Sequence, residues 1–211
     1  MPKAPATRRG ATREAIFAAA LRCFARAGYR RTALDRVAAE AGISRAAVYL
    51  HFANKEALFR ALVGELHEHA LAEAARAAAR PEGVAERLTA MLVARSGRFF
   101  DLLRSSEHAE EFLDENNRLC GDLSSRAAAK HARLIASLLA SAARAGEISL
   151  AGAGLSGAQA AELLLATADG IKTRGRATLS GREFERRLGQ AVRVVVAGLG
   201  RPAPSRRRPR S

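Results

Sequence analysis

From Ile16 to Leu199 the apolar residues return at spacings of three and four, and no segment needs to be read as a strand. Ile16, Phe17, Ala20, Leu21 and Phe24 are the first such stripe. A period near 3.6 puts these side chains on one face of a helix, so the chain is constrained to helices packed on helices. Composition agrees: alanine occurs 49 times, aromatic residues make up 5% and tryptophan is absent, which leaves few of the β-branched and aromatic runs that favour strands. With 211 residues, 48% of them hydrophobic, there is enough apolar surface for one large all-α domain or two small ones. No run of 18 apolar residues could span a bilayer, and the N-terminus lacks the apolar stretch of a secretion signal. Two cysteines, Cys23 and Cys120, exclude a disulfide framework or a cysteine-rich zinc module. The expectation is a soluble, cytoplasmic chain.

Local signals divide the chain further. Residues 1–11 read as a disordered basic arm, Thr12 as a helix cap, and residues 13–27 as the first helix, stopped by Gly28. Thr32 and Asp35 have capping-box spacing ahead of the apolar face Leu34, Val37, Ala38 and Ala41, which Gly42 ends. Ser44 caps the next helix, in which Val48 and Phe52 share one face while Arg45, Ala46, Tyr49 and Leu50 point away from it. Asn54 caps a long fourth helix that runs to about Arg80 and meets Pro81. Helical segments are expected beyond it at roughly 83–95, 98–104, 106–114, 118–145, 156–175 and 180–199, which with the first four make ten segments for an all-α bundle expected to hold about nine helices. Residues 201–211 read as a disordered basic tail.

Charge is concentrated at the two ends. Residues 1–60 carry 12 basic and 4 acidic side chains, and residues 201–211 carry five arginines and no acid, so the intervening 140 residues supply only +1 of the total +14. A basic end joined to a nearly neutral body points to one surface that meets a polyanion.

Residues 33–52 thus form a short helix, a turn at Gly42 and a second short helix with an exposed face, the helix-turn-helix layout. Here the sequence resembles the TetR family of bacterial regulators, through Gly28, Thr32, Val37-Ala38, Ala41-Gly42-Ile43-Ser44, Val48-Tyr49, His51-Phe52, Lys55-Glu56 and Leu58 at that family's spacing. The resemblance covers about 48 residues; the body matches only in length and helical character. It implies a DNA-binding domain over 12–58 and an effector-binding and dimerisation domain over 59–200, in a repressor that leaves a near-palindromic operator when a small molecule binds. Among the residues, Arg45 can fork to a guanine. By the resemblance, Tyr49 and His51 grip the DNA backbone, Leu50 faces bases, and Lys55 contacts phosphate; Thr32 and Ser44, caps on the local reading, add phosphate contacts. Ala46 and Ala47 stand where glycine and threonine are frequent, which shifts specificity towards Arg45 and Leu50. The arm, with Lys3, Arg8 and Arg9, can reach along the minor groove or the phosphates.

The last two helices are more apolar than a solvent-facing pair should be, through Leu163, Leu164, Ala168, Leu188, Val192, Val195, Val196 and Leu199. They are the expected dimer seam. For the effector pocket, Phe99, Phe100, Leu103, Phe112 and Leu134 are candidate apolar lining, with His108 and His131 as polar contacts.

Other signals fail on context. Gly152-Ala153-Gly154-Leu155-Ser156-Gly157 matches GxGxxG, but no strand precedes it and no acid follows at the required distance. His67 and His69 point to different faces of a helix, Cys120 has no neighbouring cysteine, and no nucleophile elbow, P-loop or catalytic acid pair is present. No enzyme activity, metal or cofactor is expected. The competing classes are a nucleotide-dependent enzyme built on the glycine-rich segment and a non-specific basic nucleic-acid-packaging protein.

Overall fold

The computed structural model of the chain describes residues 8–104, 106–175 and 179–200, with backbone alone for 8–11 and 97–104. Eight α-helices and one 3-10 turn account for the regular structure among them, and no strand occurs. They are α1 (Arg8–Ala27), α2 (Leu34–Ala41), α3 (Arg45–Tyr49), α4 (Lys55–Ala78), α5 (Val84–Arg104), α6 (Ala109–Arg144), a 3-10 turn at Ala151–Ala153, α7 (Gly157–Gly175) and α8 (Gly181–Leu199).

Three boundaries differ from the sequence expectation. α1 begins at Arg8, a turn before Thr12, because adding residues to a formed helix avoids the cost of nucleation and no proline intervenes, even with Gly10 in the added turn. The segments expected at 83–95 and 98–104 form one helix, as do those at 106–114 and 118–145. In both places the apparent break is a run of polar or small residues without proline. Polarity changes which face is wetted and does not interrupt the i→i+4 hydrogen bonds.

The caps follow local chemistry. Ser44 Oγ accepts from Ala47 N–H at 3.1 Å, Asn54 Oδ1 from Ala57 N–H at 2.7 Å, and Ser180 Oγ from Glu183 N–H at 3.1 Å. At the start of α7, Ser156 and Gln159 satisfy each other's backbone N–H groups, a complete capping box. The glycine-rich segment is therefore a 3-10 turn leading into a capped helix. α4 ends at Ala78, just ahead of Pro81.

The chain divides into two compact units: Met1–Glu68 with Arg98–Arg126, and His69–Gly97 with Ala127–Ser211. The division does not fall at the boundary near residue 58, because the first unit closes its core with part of α6. Ile16, Ala20, Phe24, Val37, Val48, Phe52, Leu58 and Phe59 are joined there by Phe112, Leu119 and Cys120. Phe59 lies at the centre of an aromatic cluster, 5.6 Å from Phe24, 4.9 Å from Tyr29 and 5.0 Å from Phe112 between ring centroids.

In the second unit α7 and α8 pack on each other around Ala160, Leu164, Ala168, Phe184, Leu188 and Val192. A two-pronged ion pair from Arg95 to Asp169, at 2.7 and 3.0 Å, ties α5 to α7 within that unit.

Candidate nucleic-acid interface

α3 is short, and its orientation is set from behind. Val48 is fully buried and Phe52 nearly so, packed 5.6 Å from Phe17 of α1. Gly42, in the left-handed region at φ 67°, turns the chain from α2 into the Ser44 cap. The remaining side chains must then face outwards: Arg45 and Ala46 are exposed, Tyr49 is 43% exposed and Leu50 80%. Ala47 and His51 are half-buried, with the His51 ring beside Phe52. The outward set expected from the sequence is the set the structure presents.

Arg45 is not free on this surface. Its Nε lies 3.0 Å from Asp35 Oδ1 in the first turn of α2, and its guanidinium carbon sits 5.4 Å from the centroid of the Tyr49 ring. Hydrogen bonding to Tyr49 and the Asp35 charge both raise its pKa, so the group is a permanent cation.

Lys55 and Thr32 have internal partners. The Lys55 ammonium donates to the carbonyls of Tyr29 at 2.8 Å and Arg30 at 3.0 Å, with its Nζ 4.5 Å from the Tyr29 ring centroid. Burial lowers its pKa, opposed by the Glu115 and Glu111 charges. It fastens the start of α4 to the turn after α1. Thr32 is 2% exposed and does not cap α2, whose N-cap is Ala33. Its hydroxyl donates back to the Gly28 carbonyl at 2.7 Å, so the side chain is turned towards the preceding turn, and the N-cap position itself falls on Ala33, which has no side-chain acceptor. The capping-box expectation for Thr32 and Asp35 is corrected accordingly.

Between the turn Arg30–Leu34 and the start of α4 lies an open depression of about 340 Å³ that includes Tyr49, Asn54 and Lys55. Arg30 and Arg31 on its rim were not singled out in the sequence, although an adjacent basic pair in a turn beside a helix-turn-helix was a usable signal. Arg30 is held by the first part of α6 and Arg31 by His108, the residue just before that helix. Arg30 N–H donates to Glu111 Oε1 at 2.6 Å, Arg30 Nε lies 3.2 Å from Glu115 Oε1, and Arg31 Nη2 is 3.3 Å from His108 Nε2. Ser106 Oγ donates to the Ala25 carbonyl at 2.8 Å. Burial would raise the pKa of Glu115, but Arg118 and Arg30 outweigh it and hold the carboxyl below its ordinary value. The polar stretch 106–115 is thus a clamp on the turn between α1 and α2.

The expected effector residues are distributed differently from the sequence reading. Phe112 is 5% exposed in the core of the first unit, where its ring packs on Phe59 of α4, and His108, just ahead of α6, belongs to the clamp through Arg31. His131 is buried and Leu134 half-buried in the second unit. The side chains of Phe99, Phe100 and Leu103 lie outside the described residues, as do Lys3, the side chains of Arg8 and Arg9, and the tail from Arg201. In the expected seam, Leu164, Ala168, Leu188, Val192 and Leu199 are already buried within the chain, where α7 and α8 use them as their own core. Leu163 at 46% exposure and the half-buried Val195 and Val196 remain available, together with Val194 at 73%.

Residues 16–62 match the family described as bacterial regulatory proteins, tetR family. The chain is 41% identical over 76 residues to the HTH-type transcriptional repressor Rv1474c of Mycobacterium tuberculosis, covering 36% of this chain and 41% of that protein. It is 47% identical over 57 residues to the HTH-type transcriptional regulator TtgR of Pseudomonas putida, covering 27% of each. The chain thus spans well under half the length of these relatives. Over 90% of both chains it is similar to SmeT, the repressor of the Stenotrophomonas maltophilia multidrug efflux pump SmeDEF, at 25% identity and a TM-score of 0.64. A SmeT–triclosan complex is similar over 95% of this chain at a TM-score of 0.66.

Proposed function

By its N-terminal domain the chain belongs to the TetR family of bacterial regulatory proteins, and from that premise we propose that it is a dimeric transcriptional repressor released from its operator by a small molecule. The observation that carries the reading is the two-sided packing of α3. Val48 and Phe52 fix its inner face while Arg45, Tyr49 and Leu50 stand clear on the outer one. A helix so mounted fits a major groove: Arg45 is the base reader, Leu50 meets bases or thymine methyl groups, and Tyr49 and His51 meet the backbone. Arg30, with 72% of its side chain exposed, is an additional phosphate contact on the rim of the depression beside α3. Lys55 reaches phosphate only through donor capacity left after its two carbonyl bonds. Ser44 and Thr32 serve chiefly by shaping the motif.

One such motif gives a small contact area, so two are needed. The partner is a second copy, joined through Leu163 and the Val194–Val196 edge of α8. A dyad then sets half-sites about 34–36 Å apart, or more on a bent operator. The effector enters the body, where His131 and Leu134 are the remaining candidate contacts of the second unit. The similarity to a SmeT–triclosan complex supports a small-molecule effector. Release follows if ligand binding shifts α6, because Glu111 and Glu115 near its start hold the turn that positions α2 and α3.

Selection of bound fragments from a random duplex pool tests the proposal. It should enrich an inverted repeat that retains the protein against a large excess of unrelated duplex. Equal retention on all duplexes would instead favour the non-specific packaging role suggested by the basic ends.

A further inference from the structure

An arginine that reads a base has to avoid a more abundant competitor. Phosphates line both edges of the groove, and a flexible cation finds them without regard to sequence. What distinguishes a base reader is that its guanidinium is held before the DNA arrives, with its two terminal nitrogens leading. Arg45 meets that requirement through two groups outside its own backbone. Its Nε is 3.0 Å from Asp35 Oδ1, and Tyr49, one turn further along α3, flanks the guanidinium with its ring centroid 5.4 Å from Cζ. Asp35 comes from α2, so the contact crosses the turn of the motif and depends on the angle between the helices.

We infer that Asp35 is a specificity-determining positioning residue, which holds Arg45 by its Nε so that the terminal nitrogens present a fork to a base edge. The inference rests on the reading of α3 as a DNA-recognition helix. Geometry supports it: the guanidinium is planar with donors on three nitrogens, and occupation of Nε leaves Nη1 and Nη2, whose spacing suits the O6 and N7 acceptors of guanine. Charge supports it as well. Asp35 has 54% of its side chain exposed beside Arg45, so its carboxylate repels an anionic phosphate that approaches the same cation, whereas a base edge carries no net charge to be repelled. The pair adds little to folding, since exposed ion pairs are weak. Its effect is on which partner the arginine accepts.

This assignment separates two quantities that usually move together. Asp35→Ala removes a negative charge from the binding face, so affinity for unrelated duplex should rise, while preference at the base pair read by Arg45 should fall. Using the full chain and its selected operator, we expect Asp35→Ala to reduce discrimination at that base pair about threefold to tenfold, out of the roughly tenfold to hundredfold that Arg45→Ala removes. In the Arg45→Ala background, Asp35→Ala should change no base preference at all. The inference is overturned if Asp35→Ala tightens all duplexes equally with the preference intact, if it alters a different base pair, or if its effect persists without Arg45. If the wild-type chain itself shows no preference among duplexes, the reading of α3 falls too, which distinguishes the two failures. Unchanged thermal unfolding of both variants would confirm that the comparison concerns recognition.

Discussion

The Thr32 hydroxyl is buried 2.7 Å from the Gly28 carbonyl, so its removal acts on the turn and not on a DNA contact. Thr32→Val should cost about 1–2 kcal/mol of stability by leaving that carbonyl poorly satisfied, read as a lowered Tm, while base preference in duplex selection is retained. Loss of preference at unchanged Tm would restore Thr32 as a contact residue. Glu115 gives a pH prediction of definite sign. Its folded pKa is depressed below the ordinary value of 4.5, so its stabilising contribution is complete above that pH and is lost as pH falls through the depressed value. Glu115→Gln should therefore flatten the acid limb of stability against pH below about 4.5 relative to wild type. A parallel pair of curves would refute the pairing with Arg30 and Arg118. Ser44, Asn54, Ser156 and Ser180 were legible as caps because a cap is decided within four residues. Thr32 was not, since its acceptor lies behind it in a turn whose shape is set by packing.

At the scale of elements, the contact between α6 and the α1–α2 turn is the arrangement that sequence spacing could not supply. Gly28 is in the left-handed region at φ 78°, and a Cβ there would overlap the Glu111 carboxylate. Gly28→Ala should destabilise by about 1–2 kcal/mol from backbone conformation alone, with a further steric part. Glu111→Ala should relieve only the steric part, so the double variant should be more stable than the two single losses predict. Strict additivity in urea unfolding would mean that Glu111 does not approach the turn. The order of the first four helices was readable from glycine and cap punctuation. The fusion of expected segments into α5 and α6 was not, because a polar interval in a helix resembles a loop when only hydrophobic spacing is followed.

On the scale of the whole molecule, an apolar stripe has two possible destinations, the chain's own core or another chain, and hydrophobicity alone does not choose. Leu188 and Val192 are buried within the chain while Val194 is 73% exposed two positions later. Val194→Arg should leave the helical fold of the chain intact and shift sedimentation towards the monomer, with operator affinity falling in step and the concentration dependence of Tm lost. Val192→Arg should instead unfold the chain by burying a charge. If Val194→Arg leaves the oligomeric state intact, the seam lies elsewhere.

The sequence by itself determined that the chain is helical, where the helix-turn-helix lies and which side of α3 faces out, because each depends on periodicity, caps and turns acting over a few residues. The tertiary structure decided that Asp35 meets Arg45, that Lys55 faces carbonyls, that the start of α6 grips the first turn, and which valines of α8 are left uncovered. Those outcomes depend on groups brought together across as many as 85 positions, as for Arg30 and Glu115. Neighbours so distant are chosen by how whole faces pack, and local spacing carries no record of them.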